Sequence, residues 1–142
     1  MGYLDEFGVK ESRQEQRRKR RLLIVLAILA VGGSLYYEFK NFREEGRVKE
    51  FLTVLRRGDY AAAYAFWGCK VEAPCPNYDF KSFQEDWGPN PPSKIGKVRT
   101  WRLETSHARG SGVIIAVVIN EGPQIRLWVE KSNQTLGFAP PF

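Results

Sequence analysis

Metal-binding and catalytic side chains are scarce in this sequence. Its 142 residues include one histidine, His107, and two cysteines. A structural zinc site needs four ligands of these kinds. The sequence also has no glycine-rich phosphate loop, zinc motif, haem-attachment motif or nucleotide signature. We therefore predict no metal site, no cofactor and no catalytic residue.

His107 is the residue that most suggests catalysis, and Ser106 and Ser111 lie near it. Nucleophilic catalysis needs a nucleophile and a base that a third group holds in place. These residues instead lie in or beside a glycine-rich turn, and a single histidine there is typical of a solvated or hydrogen-bonded surface group. We therefore predict that the protein is not an enzyme.

Charge is absent from residues 22–37, which read LLIVLAILAVGGSLYY. As a helix they cover about 24 Å, slightly less than the roughly 30 Å of a bilayer's apolar core. Arg20 and Arg21 can extend to the interface at one end. Aromatic residues can form a belt at the other end, namely Tyr36, Tyr37, Phe39 and Phe42. We predict a transmembrane anchor at residues 22–42.

The cations are distributed unequally around this stretch. Seven precede it, namely Lys10, Arg13, Arg17, Arg18, Lys19, Arg20 and Arg21. After it, cations are sparser and are matched by glutamates. The positive-inside rule places the N-terminus in the cytoplasm. The predicted arrangement is a cytoplasmic basic tail at residues 1–21 and an exterior domain at residues 43–142.

Two other interpretations of the apolar stretch remain open. Ala30-Val31-Gly32 resembles a signal-peptidase site, so the segment could be a cleaved signal peptide. A buried helix of a soluble protein is the second alternative, although such a helix needs polar residues along one face. The middle of this stretch has none, and the aromatic run beyond the candidate cleavage site favours a retained anchor.

The anchor and the tail indicate which partners to expect. Ala27, Ala30 and Ser34 form a stripe of small residues along which another membrane helix could pack. The basic run suits anionic lipid headgroups. It lacks the interleaved aromatic residues that single-stranded nucleic acid requires. We predict membrane lipids and larger integral membrane subunits as partners, and no nucleic acid.

Cys69 and Cys75 lie on the predicted exterior side, where disulfides persist. Closing so short a loop contributes about 2.4 kcal/mol in the chain-entropy model. We predict a disulfide between them. A metal site is the weaker alternative because two further ligands are missing, and a redox pair is disfavoured because the spacing is not Cys-x-x-Cys.

Beyond the anchor, apolar residues first recur at helical spacing. The positions of the first face are Val48, Phe51, Leu52 and Leu55. Gly58 is placed to end this helix, and Asp59 to cap the next one. Asp79 is placed to cap a third short helix, which glycine and prolines after residue 87 end.

The period changes to alternation after residue 100. Trp101, Leu103 and Thr105 are predicted to share one face of a strand. Residues 113–119 are apolar on both faces, which predicts a central strand. Strands near residues 125–129 and 135–138 complete an antiparallel meander. The order predicts an α+β domain with helices over one sheet face.

The stretch VKEFLTVLRRGDYAAAY, residues 48–64, and the later segment around Asp86-Trp87-Gly88 resemble the nuclear-transport-factor-2-like (cystatin-like) superfamily, in particular its small bacterial membrane-anchored members. The resemblance implies a curved antiparallel sheet around a cone-shaped cavity. It also implies a bacterial inner (plasma) membrane with the domain periplasmic or extracellular. The superfamily includes isomerases, ligand binders and scaffolds. The acidic base and donor pair of its isomerases match no residues here.

Two groups of side chains are candidate sites. The first could line a pocket for an apolar ligand or form the core, and consists of Tyr60, Tyr64, Trp67, Phe83, Trp87 and Trp101. The second could face a partner or only solvent, and consists of Arg102, Arg126 and Trp128. We predict a non-enzymatic single-pass membrane subunit or scaffold, an accessory part of an energy-transducing or secretion assembly. The alternatives are an anchored module that binds a small apolar ligand or lipid, and an isomerase-like enzyme.

Overall fold

The computed structural model describes the backbone of residues 3–140 and the side chains of residues 13–140. The first two residues of the predicted tail and the last two of the predicted exterior domain lie outside the described residues, as does the side chain of Lys10. The chain divides into two compact units, one ending at Lys40 and the other beginning at Asn41.

The first unit is one helix, α1 (Tyr3–Phe39). It includes the basic run and the whole apolar stretch without a break. The predicted anchor extends to Phe42, whereas Phe42 is the first residue of the next helix. The reason is Asn41, whose φ of −113° and ψ of 12° depart from helical values. Its carbonyl oxygen accepts from the Glu45 N–H at 2.9 Å, which begins a new helix.

The second unit opens with three helices: α2 (Phe42–Arg57), α3 (Tyr60–Ala65) and α4 (Phe80–Trp87). The predicted apolar face of α2 is fully buried, at Val48, Phe51, Leu52 and Leu55. Gly58 ends this helix in the left-handed region, with φ of 79°, a conformation that glycine adopts without steric cost. Helical periodicity alone therefore located α2.

Aspartates cap the two shorter helices, as the sequence predicts. The Asp59 carboxylate accepts from the Ala62 N–H at 3.0 Å, and the Asp79 carboxylate accepts from the Ser82 N–H at 2.7 Å. The backbone hydrogen bond from Ser82 lowers the pKa of Asp79, because it stabilises the charged carboxylate.

Four strands follow and form one antiparallel sheet in chain order: β1 (Trp101–Arg109), β2 (Gly112–Ile119), β3 (Gln124–Glu130) and β4 (Leu136–Phe138). All eight residues of β2 are buried, which confirms the prediction of a central strand. The α+β architecture with an antiparallel meander is likewise confirmed.

A register shift between Leu103 and Thr105 corrects the predicted face of β1. Leu103 pairs with Val117 on the core side, whereas Thr105 pairs with Ala116 on the other side. Glu104 is the extra residue of this β-bulge, and a bulge moves the following side chains to the opposite face. Ser106 consequently takes the inward position that simple alternation would give to Thr105.

The core lies between the helices and one face of the sheet. It joins the apolar face of α2 to Phe83 and Trp87 of α4 and to the inward residues of the sheet, including Ile115 and Leu127. Each fully buried side chain of this size contributes about 1.5–3 kcal/mol. The helices and the sheet are therefore held together mainly by apolar burial.

Candidate functional site

The apolar stretch of α1 is exposed along its length. Its large side chains range from 50% exposed at Ile24 to 74% at Tyr36. By length and composition, this helix can cross a membrane. Exposed apolar surface of this extent is unfavourable in water but not in lipid. A membrane-spanning candidate of the predicted kind is therefore present.

The small-residue stripe lies within this stretch. Ala27, Ala30 and Ser34 are all exposed, at i, i+3 and i+7 spacing on one side of α1. Small side chains would let the backbone of another helix approach closely there. The stripe is thus available as a packing face, and its use stays a prediction.

A polar cluster fixes the beginning of α2 to the end of β1. The Asn41 side-chain amide donates to the Ser106 hydroxyl at 3.2 Å and to the Ser106 carbonyl at 3.4 Å. The Ser106 hydroxyl donates to the Glu45 carboxylate. Asn41 is only 3% exposed, so these hydrogen bonds offset the cost of removing its amide from water.

A second set of hydrogen bonds joins the first turns of α2 to the β3–β4 turn. The Gln134 amide donates to the Glu44 carboxylate at 3.2 Å, and the Arg47 guanidinium donates to the Gln134 carbonyl at 3.2 Å. Arg43 donates to the Lys131 carbonyl at 3.3 Å. Glu44 is 6% exposed. An isomerase-like site would need a buried carboxylate that faces a cavity. The buried carboxylate of Glu44 is instead hydrogen-bonded to the β3–β4 turn.

The six aromatic residues that the sequence singles out pack mainly on one another and on their neighbours. Tyr64, Phe83 and Trp87 are no more than 1% exposed, whereas the other three are partly buried. The Tyr64 ring lies 5.3 Å from that of Phe83, and the Trp67 ring lies 4.7 Å from that of Phe138. Trp101 and Tyr60 pack against the same core. Side chains therefore fill the region that these residues surround.

The cysteine loop is tied to this aromatic group. Cys69 and Cys75 form a disulfide, with their Cα atoms 5.3 Å apart. The Tyr64 hydroxyl donates to the Tyr78 carbonyl and accepts from the Cys75 N–H at 3.2 Å. The buried Tyr64 hydroxyl thus has partners in the loop, and the loop is held against α3.

The Tyr78 hydroxyl, which is partly buried, donates to the Asp86 carboxylate at 2.8 Å. Burial raises the pKa of Tyr78, and the hydrogen bond and negative charge of Asp86 raise it further. Tyr78 therefore stays protonated and acts as a donor. The pair links the segment after the disulfide loop to the C-terminal turn of α4.

The second predicted group lies on the outer sheet face. Arg102 and Arg126 are exposed and Trp128 is partly buried. The Trp128 indole lies where a side chain on Gly112 would be, so it covers the first residue of β2. Ile114, which pairs with Trp128 on this face, is only 7% exposed. The face is thus partly covered by its own long side chains.

Polar contacts continue along the same face. The Arg102 guanidinium lies 3.1 Å from the Glu104 carboxylate, and the Gln124 amide donates to that carboxylate at 2.6 Å. The Gln124 hydrogen bond, followed by that of Arg102, lowers the pKa of Glu104. His107 pairs with Ile114 on this face, whereas Ser106 faces inward. The structure therefore does not bring this serine and histidine together.

A groove of about 580 Å³ lies next to the β2–β3 turn, at the end of the sheet that contains this turn. Its lining includes Trp87 of α4, Ile119, Asn120 and Ile125 around the turn, and Phe138 of β4. Of the six predicted aromatic residues, Trp87 lines it. Within the described residues, no three or more His, Cys, Asp or Glu side chains are placed to hold a metal ion.

Sequence reasoning missed the polar cluster and the groove. Asn41, Glu44 and Ser106 have no local signal, because their partners lie 61 or more positions away in sequence. The hydrogen bonds of Asn120 to residues 95–100 are also distant in sequence and have no local signal. Glu44 lies in line with the buried apolar residues of α2, and hydrophobic periodicity does not predict that a carboxylate there is buried.

Comparisons with known protein families, with curated proteins and with solved structures find no match to this chain. The resemblance to the nuclear-transport-factor-2-like superfamily therefore stays a prediction.

Proposed function

We propose that this protein is a non-enzymatic, single-pass membrane subunit or scaffold whose exterior domain contacts larger membrane proteins. The N-terminal tail would lie in the cytoplasm and the domain in the periplasm or outside the cell, in a bacterial inner membrane. The observation that carries this proposal is α1, whose apolar stretch is at least half exposed at every large side chain. A disulfide in the second unit supports an oxidising location for that unit.

The exterior domain would belong to the cone-shaped fold of the nuclear-transport-factor-2-like superfamily, with its three helices packed on a curved sheet. Its filled aromatic interior supports a role in contacts rather than in chemistry. The outer sheet face, which carries Trp128, Arg102 and Arg126, would be one contact surface, because tryptophan and arginine are enriched where partners bind tightly. The small-residue stripe of α1 would be another.

Site-specific photo-crosslinking in native membranes tests the contact role. A photoreactive amino acid replaces Trp128 or Ala30 in the full-length chain, and a control carries it at Lys49, an exposed position of α2. We expect a discrete crosslinked product from the first two positions and none from the control. Migration of the gently solubilised protein as a lone monomer, with no crosslink at either position, would refute the proposal.

Reporter fusions test the orientation separately. Alkaline phosphatase fused after residue 142 should be active, because it folds only outside the cytoplasm, and a fusion after residue 21 should be inactive. The reverse pattern would place the domain in the cytoplasm. A mature chain that begins near Gly33 would identify α1 as a cleaved signal peptide instead of an anchor.

A further inference from the structure

The groove at the β2–β3 turn has the dimensions of a small-molecule site. Its volume of about 580 Å³ lies within the roughly 300–1,000 Å³ typical of ligand pockets. It is bordered by the C-terminal turn of α4, by residues 92–99, by the β2–β3 turn and by Phe138. All of these belong to the second unit.

One part of the groove is apolar and rests on the core. Trp87 is 1% exposed, so its position is fixed by packing. Phe138 is 49% exposed and its ring is nearly parallel to that of Trp87, with centroids 6.2 Å apart. Ile95, Ile119 and Ile125 complete this apolar part. An alkyl chain placed here would leave water without displacing the core.

The wall opposite is held in shape by Asn120. Its side-chain oxygen accepts from the Arg99 N–H at 2.8 Å and from the Thr100 N–H at 3.2 Å. Its amide donates to the Lys97 carbonyl at 2.9 Å and to the Ile95 carbonyl at 3.2 Å. Because one side chain satisfies four backbone groups of this segment, the groove is formed before any ligand arrives, which reduces the entropy cost of binding.

The charged residues of the groove differ in whether they have partners. Lys94 and Arg99 are exposed, and no hydrogen bond or ion pair joins their side chains to another of the residues 13–140. The two acids of the lining are engaged: Asp86 accepts from Tyr78 at 2.8 Å, and Glu85 lies 3.8 Å from the Lys81 ammonium. The charged groups of the lining that have no partner among the described residues are therefore its two cations.

We propose that this groove binds an amphipathic monocarboxylate of the fatty-acid type. The alkyl chain would lie against Trp87, Ile125 and Phe138, and the carboxylate would accept hydrogen bonds from Lys94 and Arg99, since charge-assisted hydrogen bonds of this kind are the strong ones. This site does not depend on the proposed scaffold role. It is also distinct from the alternative in which a ligand would lie inside a cone-shaped cavity.

Fluorine NMR of the full-length chain in zwitterionic lipid nanodiscs tests the site. The four tryptophans are labelled with 5-fluorotryptophan, and the Trp87 signal is assigned with Trp87→Phe. Octanoate, octanol and octylamine are added in separate titrations. We expect octanoate to shift the Trp87 signal saturably and to bind more tightly than octanol, with octylamine weakest. Trp128, which does not line the groove, should not shift.

Charge variants complete the test. Lys94→Gln with Arg99→Gln should weaken octanoate binding about tenfold and leave octanol binding unchanged, because only the carboxylate uses these cations. The matched control, Lys49→Gln with Arg56→Gln, removes two exposed cations of α2 and should change neither. The proposal is overturned by any of three results: no saturable octanoate shift, octanol or octylamine binding as tightly as octanoate, or wild-type octanoate affinity in the groove variant.

Discussion

The β2–β3 turn contains one residue that stabilises the domain and a neighbour that strains it. Asn120 and Glu121 both have positive φ, 51° and 59°, and the Gly122 N–H donates to the Ile119 carbonyl at 2.9 Å. This is a type I′ turn, which favours Asn-Gly at its two central positions. Asn120 also makes the four hydrogen bonds to residues 95–100. Replacing each of these two residues by glycine in turn separates the effect of backbone strain from the effect of the side-chain hydrogen bonds.

For Asn120→Gly we expect a loss of unfolding free energy. Four mostly exposed hydrogen bonds, each at the lower end of the usual range, contribute about 2–3 kcal/mol. Glycine relieves about 1 kcal/mol of left-handed strain, so the net loss is about 1–2 kcal/mol. For Glu121→Gly, whose side chain makes no such bonds, we expect a gain of up to about 1 kcal/mol.

Urea denaturation of the full-length chain in a mild detergent measures both effects through tryptophan fluorescence. Tryptophan occurs only at positions 67, 87, 101 and 128, so the signal reports the second unit and not α1. If Asn120→Gly were as stable as the wild type, the hydrogen bonds of this side chain would contribute nothing. If Glu121→Gly also failed to stabilise, the turn would not adopt the type I′ conformation in solution.

Three further predictions use the same denaturation measurement. Ser106→Ala should cost about 1–3 kcal/mol, because it removes one hydrogen bond of the buried Asn41 amide and one of the partly buried Glu45 carboxylate, whereas Ser111→Ala, at an exposed position, should stay within about 0.5 kcal/mol of wild type. Replacing Cys69 and Cys75 by serine should cost about 2.4 kcal/mol by the loop-closure argument, and equal stability with and without reductant would contradict it. The lowered pKa of Asp79 means that its ionised carboxylate stabilises the folded state. This stabilisation is present above the unfolded pKa of about 3.9 and is lost as pH falls through the folded pKa. Asp79→Asn, which caps the helix without ionising, should abolish this part of the loss of stability in acid.

The elements that local chemistry determines could be predicted from the sequence. The buried face of α2, the aspartate caps and the order of the strands each depend on residues within a few positions of one another. The disulfide depends on a loop of six positions. In each case the signal and the structure it specifies lie in the same short segment, so no tertiary information was needed.

The face of β1 beyond Leu103 could not be predicted, because the bulge at Glu104 is invisible to an alternating pattern. The three residues after it, Thr105, Ser106 and His107, are polar, so no apolar side chain there reports the change of face. The groove is equally non-local, since it combines a helix end, a loop and a turn with Phe138. Residue types predict such a site only after the fold has placed them together.

The polar cluster at the start of α2 determines how this helix is placed on the sheet. Apolar burial drives α2 onto the sheet but tolerates sliding, because one methyl group packs much like another. The Asn41 amide donates to Ser106, while the Glu45 carboxylate accepts from Ser106 and the Glu44 carboxylate accepts from Gln134. These hydrogen bonds have directional requirements that only one placement satisfies. These are also the first residues of the second unit after α1 ends. The chain therefore enters its second unit at a residue whose side chain is itself hydrogen-bonded to β1.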